Sequence, residues 1–314
     1  MQLLVLRQKI HGLGATDYAD VLRKRLPDCS VTVATTPEEE QEMLRTADVA
    51  TGFQLTRSDL ERAENLKLFG CVYAGTSHLD LDAFTEHGVA VTNASGVHRP
   101  NMSEYVVGAI IAQAKGFSQA RTQQRRQEWR SYQTRELHGS TVTVVGLGAI
   151  GDAVVDCLEP FGVDTVGVRY TPEKGGPTDE VYGFDDIHQA VADAEYVVLA
   201  CPLTETTAGL IDEDVLRTMR PDAILVNVAR GPVVDTDALV ASLRWNRIAG
   251  ATLDVTDPEP LPEGHPLWNM DTVTITPHNS GFSPEYFERR ADILTTNVER
   301  LREGSLDELK NRVV

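Results

Sequence analysis

The sequence predicts an α/β protein of two domains, each a doubly wound parallel sheet. Three features carry this expectation. Short apolar runs alternate with amphipathic segments in two successive series, a glycine motif stands directly between a strand and a helix of the second series, and an amphipathic helix follows the last strand. At 314 residues the chain is long enough for about two domains of ordinary size.

The first series runs LLVL at 3–6, VTVA at 31–34, DVATG at 48–52, LKLFGCVY at 66–73 and VAVTNA at 89–94. Helices are expected at 15–26 and 37–46; the second opens with Pro37 and three glutamates, which suit the positive end of the helix dipole. From about Asn101 a long helical connector is predicted, apolar in MSEYVVGAIIAQA and then basic in RTQQRRQEWR, whose charged end reads as a solvated face or interface rim. The second series follows from Thr141: VTVVG, a helix from about 149, VDTVGV, a helical DIHQAVADA, EYVVLA, AILVNVA, IAGATLDV and TVTIT. The Gly- and Pro-rich stretch 172–177 is read as a loop. The final helix, about 284–303, is expected to return to the first domain. The predicted boundaries are therefore 1–98 with 282–314 for one domain and 99–281 for the other.

Composition narrows the partners. The net charge of −18 opposes phosphate backbones and anionic lipid, so neither nucleic acid nor a membrane surface is expected and a small molecule is. No apolar run approaches the roughly 18 residues of a bilayer-crossing helix, and the opening MQLLVLRQKI reaches charge too early for a secretory signal. A cytoplasmic location is expected. Six lysines against 23 arginines, within so acidic a chain, suggest a salt-adapted cytoplasm in which ions screen self-repulsion. Cys29, Cys71, Cys157 and Cys201 lack any spacing for disulfides or zinc and are expected as reduced, mostly buried thiols. The histidines form no helical pair, so no metal is required; His78, His87 and His98 are read as local hydrogen-bonding residues.

Gly146, Leu147, Gly148, Ala149, Ile150 and Gly151 follow the strand VTVV and open a helix. Here the first glycine permits a tight turn, the second lets backbone approach a pyrophosphate, and the third allows close helix–strand packing. The free N–H groups at the helix start favour an anion, so a dinucleotide is expected. Where an NAD site presents an acid to the ribose, about 20 residues on, this chain has Arg169, Tyr170 and Thr171. A cation and two hydroxyls fit a 2′-phosphate, predicting NADP(H) as preferred and NAD(H) as possible. Further along, Arg230 ends the strand AILVNVA, Glu259 sits between Pro258 and Pro260, and His278 follows the strand TVTIT. An Arg, a Glu and a His at strand ends of one nucleotide-binding sheet can supply a substrate clamp, an orienting base and an acid.

With these segments in view, the chain resembles the D-isomer-specific 2-hydroxyacid dehydrogenase family, glyoxylate and hydroxypyruvate reductases among them. The resemblance is carried by CVYAGTSHLDLD at 71–82, ELHGSTVTVVGLGAIG at 136–151, CPLTETTAGLIDEDVLRTMRPDAILVNVARGPVVD at 201–235, and GATLDVTDPEPLPEGHPLW with TPHNSG within 250–281. It implies a Rossmann-type cofactor domain, a flavodoxin-like substrate domain and an active site in the interdomain cleft. It also implies that Arg230 holds the substrate carboxylate and carbonyl, that His278 protonates the carbonyl oxygen and that Glu259 pairs with His278. Ala74 and Gly75 match the loop whose backbone binds the carboxylate. Asp254 matches the acid near the nicotinamide carboxamide, and Cys201, Pro202, Thr207, Val228 and Ala229 match the cofactor wall. Where many relatives carry an acid after the substrate-loop glycines, this chain has Ser77 and His78.

The expectation is thus an enzyme interconverting 2-keto acids and D-2-hydroxy acids by hydride transfer, as a homodimer built on its cofactor domains. Two rivals are a phosphite-type dehydrogenase on the same scaffold and a non-catalytic, nucleotide-sensing corepressor-like protein. A formate-type enzyme would pair Gln with His, which Glu259 disfavours.

Overall fold

The computed structural model describes residues 1–7 and 14–314, so Gln8, Lys9 and Ile10 of the opening segment lie outside the described residues. The chain separates into two compact units, Met1–His98 with Phe282–Val314 and Arg99–Gly281.

In the first unit the described strands are β1 (Gln2–Val5), β2 (Ser30–Val33), β3 (Val49–Gly52), β4 (Leu68–Cys71) and β5 (Ala90–Thr92). They pair in parallel in the order β2-β1-β3-β4-β5, the flavodoxin-like arrangement. The strands read as unbroken apolar runs because a parallel sheet is covered on both faces. Leu4, Ala50, Phe69 and Val91 pack on one side with Leu44 and Phe84, while Leu3, Val49 and Leu68 pack on the other with Tyr18 and Leu22. Helices α1 (Ala15–Arg25) and α2 (Pro37–Leu44) lie where expected. The N-cap of α2 is Thr36, whose side chain accepts from the Glu39 N–H at 3.2 Å. Two short helices, α3 (Arg57–Leu60) and α4 (Leu81–Glu86), were not anticipated; each is set by a capping side chain, Thr56 and Asp80.

The connector is two helices rather than one. α5 (Arg99–Ala114) ends before Gly116, and α6 (Phe117–Arg125) starts beyond it. Gly116 has φ +63°, and a Cβ there would stand 2.9 Å from the Tyr132 ring, so the left-handed turn that breaks the helix requires glycine. The arginine-rich end of the connector is exposed.

The second unit continues with β6 (Thr141–Val145), α7 (Ala149–Leu158), β7 (Asp164–Val168), β8 (Glu180–Tyr182), α8 (Ile187–Val191), β9 (Tyr196–Leu199), α9 (Glu213–Thr218), β10 (Ile224–Asn227), α10 (Thr236–Arg244), β11 (Gly250–Leu253) and β12 (Val273–Ile275). Among the described residues these form a seven-stranded parallel sheet, β12-β11-β10-β9-β6-β7-β8. The sequence predicts six of these strands; the seventh, β8, is a three-residue edge strand with no buried residue. Chain order reverses between β6 and β9, and open α/β sheets bind their ligands at the carboxyl ends of strands at such a reversal. After β12 the chain returns to the first unit as α11 (Tyr286–Arg302), whose Phe287, Ala291, Leu294 and Val298 join the core containing Tyr18 and Leu22.

Of the four cysteines, all free, Cys71 and Cys201 are buried, while Cys29 and Cys157 are only half-buried. Burial of the thiols is thus less complete than expected.

Candidate active site

The glycine loop leaves β6 and enters α7 with the geometry of a backbone cradle. Gly146 has φ +108°, and a Cβ there would lie 2.6 Å from the Cys201 backbone. At Gly151 a Cβ would lie 2.0 Å from the Gly146 carbonyl oxygen, so only glycine lets the first turn of α7 sit against the loop. Gly148 differs. It is the N-cap of α7, contributes no capping side chain, and has no atom within 4 Å of where its Cβ would be. A helix N-terminus with uncapped N–H groups and open space above its cap fits a pyrophosphate. Leu147 is buried, and Ala149 and Ile150 begin the helix half-exposed or less.

Arg169 follows β7 and is half-buried; its Nη1 donates to the Gly175 carbonyl at 2.5 Å, which ties the guanidinium to the 172–177 loop. Tyr170 is 80% exposed, and the Thr171 carbonyl accepts from the Lys174 N–H at 3.2 Å. Beyond β9, Cys201 is buried, and desolvation pushes its thiol up to about 11, so it stays a neutral thiol. The Thr207 hydroxyl donates to the Pro202 carbonyl at 2.6 Å and accepts from the Thr204 N–H at 2.8 Å, which holds the 202–207 turn closed. Val228 and Ala229 are buried behind β10.

Arg230, directly after Ala229, is exposed, with Nη1 donating to the Ala229 carbonyl at 2.6 Å. A residue that sequence reasoning passed over shapes this turn. Asn227, buried at the last position of β10, accepts from the Ala229 N–H at 3.0 Å and donates to the Arg230 carbonyl at 3.2 Å. Its sole signal in the sequence is an amide inside an apolar strand. Next to Arg230, a Cβ on Gly231 would lie 1.9 Å from the Thr256 carbonyl oxygen, so the Arg230 turn packs directly on the segment leading to Glu259.

The Glu259 carboxylate has two partners. Oε1 accepts from the Thr256 N–H at 3.1 Å, and Oε2 is 3.0 Å from His278 Nδ1. The peptide bonds preceding Pro258 and Pro260 are both cis. A carboxylate only accepts, so Nδ1 carries the hydrogen of this pair and Nε2 is the nitrogen turned to other work. His278 has φ +52° and is exposed; its N–H donates to the Asp254 carbonyl at 2.8 Å. Asp254 itself is 1% exposed. Its Oδ1 accepts from the Thr276 hydroxyl at 2.5 Å and the Asn279 N–H at 2.8 Å, and its Oδ2 accepts from the Ser280 N–H at 2.9 Å. The carboxylate is therefore engaged in holding the loop that presents His278.

Ala74 and Gly75 are exposed beyond β4 in the first unit; the Ala74 carbonyl accepts from Asn93 Nδ2 at 2.8 Å, and a Cβ on Gly75 would meet nothing within 4 Å. Nearby, His78 stacks on Phe53 with ring centres 4.3 Å apart and its Nε2 is 2.9 Å from the Phe53 carbonyl. His87 bonds the Ala83 carbonyl through Nδ1 at 2.8 Å, and His98 stacks on Tyr286. No metal-binding group of His, Cys, Asp or Glu occurs among the described residues, and none of their helices is long and apolar enough to cross a membrane.

Comparison with known proteins matches residues 107–280 to the family model of the NAD binding domain of D-isomer specific 2-hydroxyacid dehydrogenases. A glyoxylate reductase of Thermofilum pendens is 36% identical over 256 residues, covering 79% of this chain and 75% of that one. A D-3-phosphoglycerate dehydrogenase of Methanocaldococcus jannaschii is 33% identical over 287 residues, covering 90% of this chain; the match spans 55% of that longer protein. Among solved structures, a D-isomer specific 2-hydroxyacid dehydrogenase from Xanthobacter autotrophicus, in complex with NADPH and MES, superposes with a TM-score of 0.80 at 29% identity, covering 99% of this chain and 98% of that one.

Proposed function

The chain belongs to the D-isomer specific 2-hydroxyacid dehydrogenase family, a family of nicotinamide-dependent oxidoreductases, and on that premise we propose that it reduces a 2-keto acid to the D-2-hydroxy acid with NADPH. The observation that carries this is the His278 Nδ1–Glu259 Oε2 contact of 3.0 Å, on a loop pinned by the buried Asp254. When bound, NADPH supplies the hydride to the keto carbon. Arg230 holds the substrate carboxylate and meets the charge that grows on the carbonyl oxygen. His278 gives that oxygen a proton from Nε2, while Glu259 keeps the imidazole oriented through Nδ1. In the reverse direction neutral His278 takes the proton back.

Gly146–Gly151 hold the pyrophosphate over the start of α7, and Cys201, Pro202, Thr207, Val228 and Ala229 wall the cofactor. Asp254 has its carboxylate in the same loop system and serves the nicotinamide end through that position. The NADPH preference rests on Arg169, whose fork is anchored to the Gly175 carbonyl beside Tyr170 and Thr171, and on the NADPH found with the Xanthobacter relative. The unit Met1–His98 with Phe282–Val314 is assigned to substrate, through the exposed backbone at Ala74 and Gly75, and Arg99–Gly281 to the cofactor. A homodimer through the cofactor units is part of this proposal, supported by Phe117 and Trp129, which are 57% and 102% exposed. So is a salt-adapted cytoplasm, supported by the charge of −18.

The test is a panel of glyoxylate, hydroxypyruvate, larger 2-keto acids and phosphite with NADPH, NADH and their oxidised forms. Reduction of at least one 2-keto acid, faster with NADPH, is expected. Turnover confined to phosphite, or none with any keto acid, defeats the proposal.

A further inference from the structure

We propose that Tyr105 is a positioning residue for His278, acting through a directed chain of hydrogen bonds that runs from Tyr105 through Thr276 to the buried Asp254 carboxylate. This rests on the role given to His278 above. The Tyr105 hydroxyl lies 2.6 Å from Thr276 Oγ1, and Thr276 Oγ1 lies 2.5 Å from Asp254 Oδ1. A carboxylate can only accept and a threonine hydroxyl has one hydrogen, so Thr276 donates to Asp254 and must accept from Tyr105. The direction of both bonds follows. Burial pushes the Tyr105 phenol above its ordinary value and the charge on Asp254 adds to this, so the phenol keeps its proton and donates it.

Asp254 transmits the order to the catalytic loop. Its two oxygens accept the N–H groups of Asn279 and Ser280, the pair of residues immediately after His278, and its own carbonyl accepts the His278 N–H at 2.8 Å. His278 holds φ +52°, a conformation a β-carbon disfavours, so the loop needs such external bonds to keep it there. Asn101 stands one helical turn before Tyr105 on α5, so the two share a face, and its Nδ2 donates to the Ser280 carbonyl. One face of α5 therefore grips the loop at Thr276 and at Ser280. The helix is a firm base for this grip, because Val106, Ile110 and Ala114 are buried in the same core as Val144 of β6 and Val154 of α7.

Removing the Tyr105 hydroxyl frees the Thr276 hydroxyl to turn from Asp254, and the imidazole loses registry with Glu259 Oε2. Tyr105→Phe and Thr276→Val are compared with Thr276→Ser, which keeps the chain, and with His278→Ala. Each is measured for kcat and KM in 2-keto acid reduction, for NADPH affinity by fluorescence, for unfolding midpoint, and, without cofactor, for solvent exchange of the His278 Nδ1 proton by nitrogen-15 NMR. Tyr105→Phe and Thr276→Val should lower kcat by about 3- to 10-fold, the worth of one hydrogen bond. Exchange of the Nδ1 proton should quicken, with NADPH affinity and unfolding midpoint held, and Thr276→Ser should stay within about twofold of the parent. Unchanged kcat and unchanged proton exchange in Tyr105→Phe would overturn the proposal, as would a loss that merely tracks unfolding or NADPH affinity. If His278→Ala keeps its turnover, the role of His278 fails instead, and the NMR exchange still reports on the hydrogen-bond chain.

Discussion

Gly148→Ala and Gly151→Ala place the same methyl group three residues apart in one loop, yet the structure separates their consequences. At Gly151 the added Cβ would begin 2.0 Å from the Gly146 carbonyl oxygen. A carbon–oxygen contact needs about 3.2 Å, so the first turn of α7 and the loop must part by roughly 1 Å, and both are backbone with no rotamer to yield. The expected cost is about 3 kcal/mol, the upper end of overpacking. At Gly148 the Cβ would meet nothing within 4 Å, and the backbone, at φ −132° and ψ −162°, is one that alanine adopts. Folding should therefore be unaffected, or gain about 0.4–1 kcal/mol from the stiffer unfolded chain. The methyl would instead stand in the space proposed for pyrophosphate, at an expected loss of about 1.5–3 kcal/mol in charge-assisted contacts, roughly 10- to 100-fold in affinity. Urea unfolding and NADPH titration by fluorescence read the two effects independently. If Gly148→Ala binds NADPH like the parent, the pyrophosphate does not lie over the α7 terminus; if Gly151→Ala unfolds like the parent, close packing is not why that position is glycine.

His278→Ala should keep NADPH binding and lose keto acid reduction by about 10²–10⁴-fold, the worth of a placed general acid; near-parental turnover would remove His278 from that role. Arg169→Asp should weaken NADPH by one to two powers of ten, roughly the value of a charge-assisted contact, and leave NADH unharmed or improved. A parent enzyme preferring NADH, or a variant retaining NADPH affinity, contradicts this. Raising KCl from low to molar concentration should raise the thermal unfolding midpoint, because the 18 excess negative charges are screened; a flat or falling midpoint argues against salt adaptation. The folded-state pKa of Cys201 is raised to about 11 from an ordinary 9.0, so the stability linked to that thiol is complete below pH 9 and is lost as pH rises through 11. Urea unfolding of the parent and of Cys201→Ala across pH 8–11 checks this, and the parent should show the steeper alkaline fall.

The amino-acid sequence by itself determined the α/β class, the strands of β1–β5, the cofactor motif Gly146–Gly151 and the positions of Arg230, Glu259 and His278 as candidates. Each is written in contiguous residues: a strand buried on both faces is a short apolar run, and a glycine required by φ +108° at Gly146 cannot be another residue without strain. Weak local signals failed at α3, α4 and β8, which are four, six and three residues long and owe their existence to a cap or a neighbouring strand. The break at Gly116 was also hidden, since one glycine within a helical pattern gives no notice of the Tyr132 ring that would oppose a side chain there. Only the tertiary structure decided what the polar residues hold. Asp254 reads as a polar end to an apolar strand, and Tyr105 as one aromatic in an apolar helix. Their joint task appears when folding brings Tyr105 to Thr276, 171 positions away, and Thr276 to Asp254 across 22. A hydrogen bond needs its two atoms within about 3 Å and aligned, and that condition belongs to the packed sheet and its helix, where residues distant in sequence become neighbours.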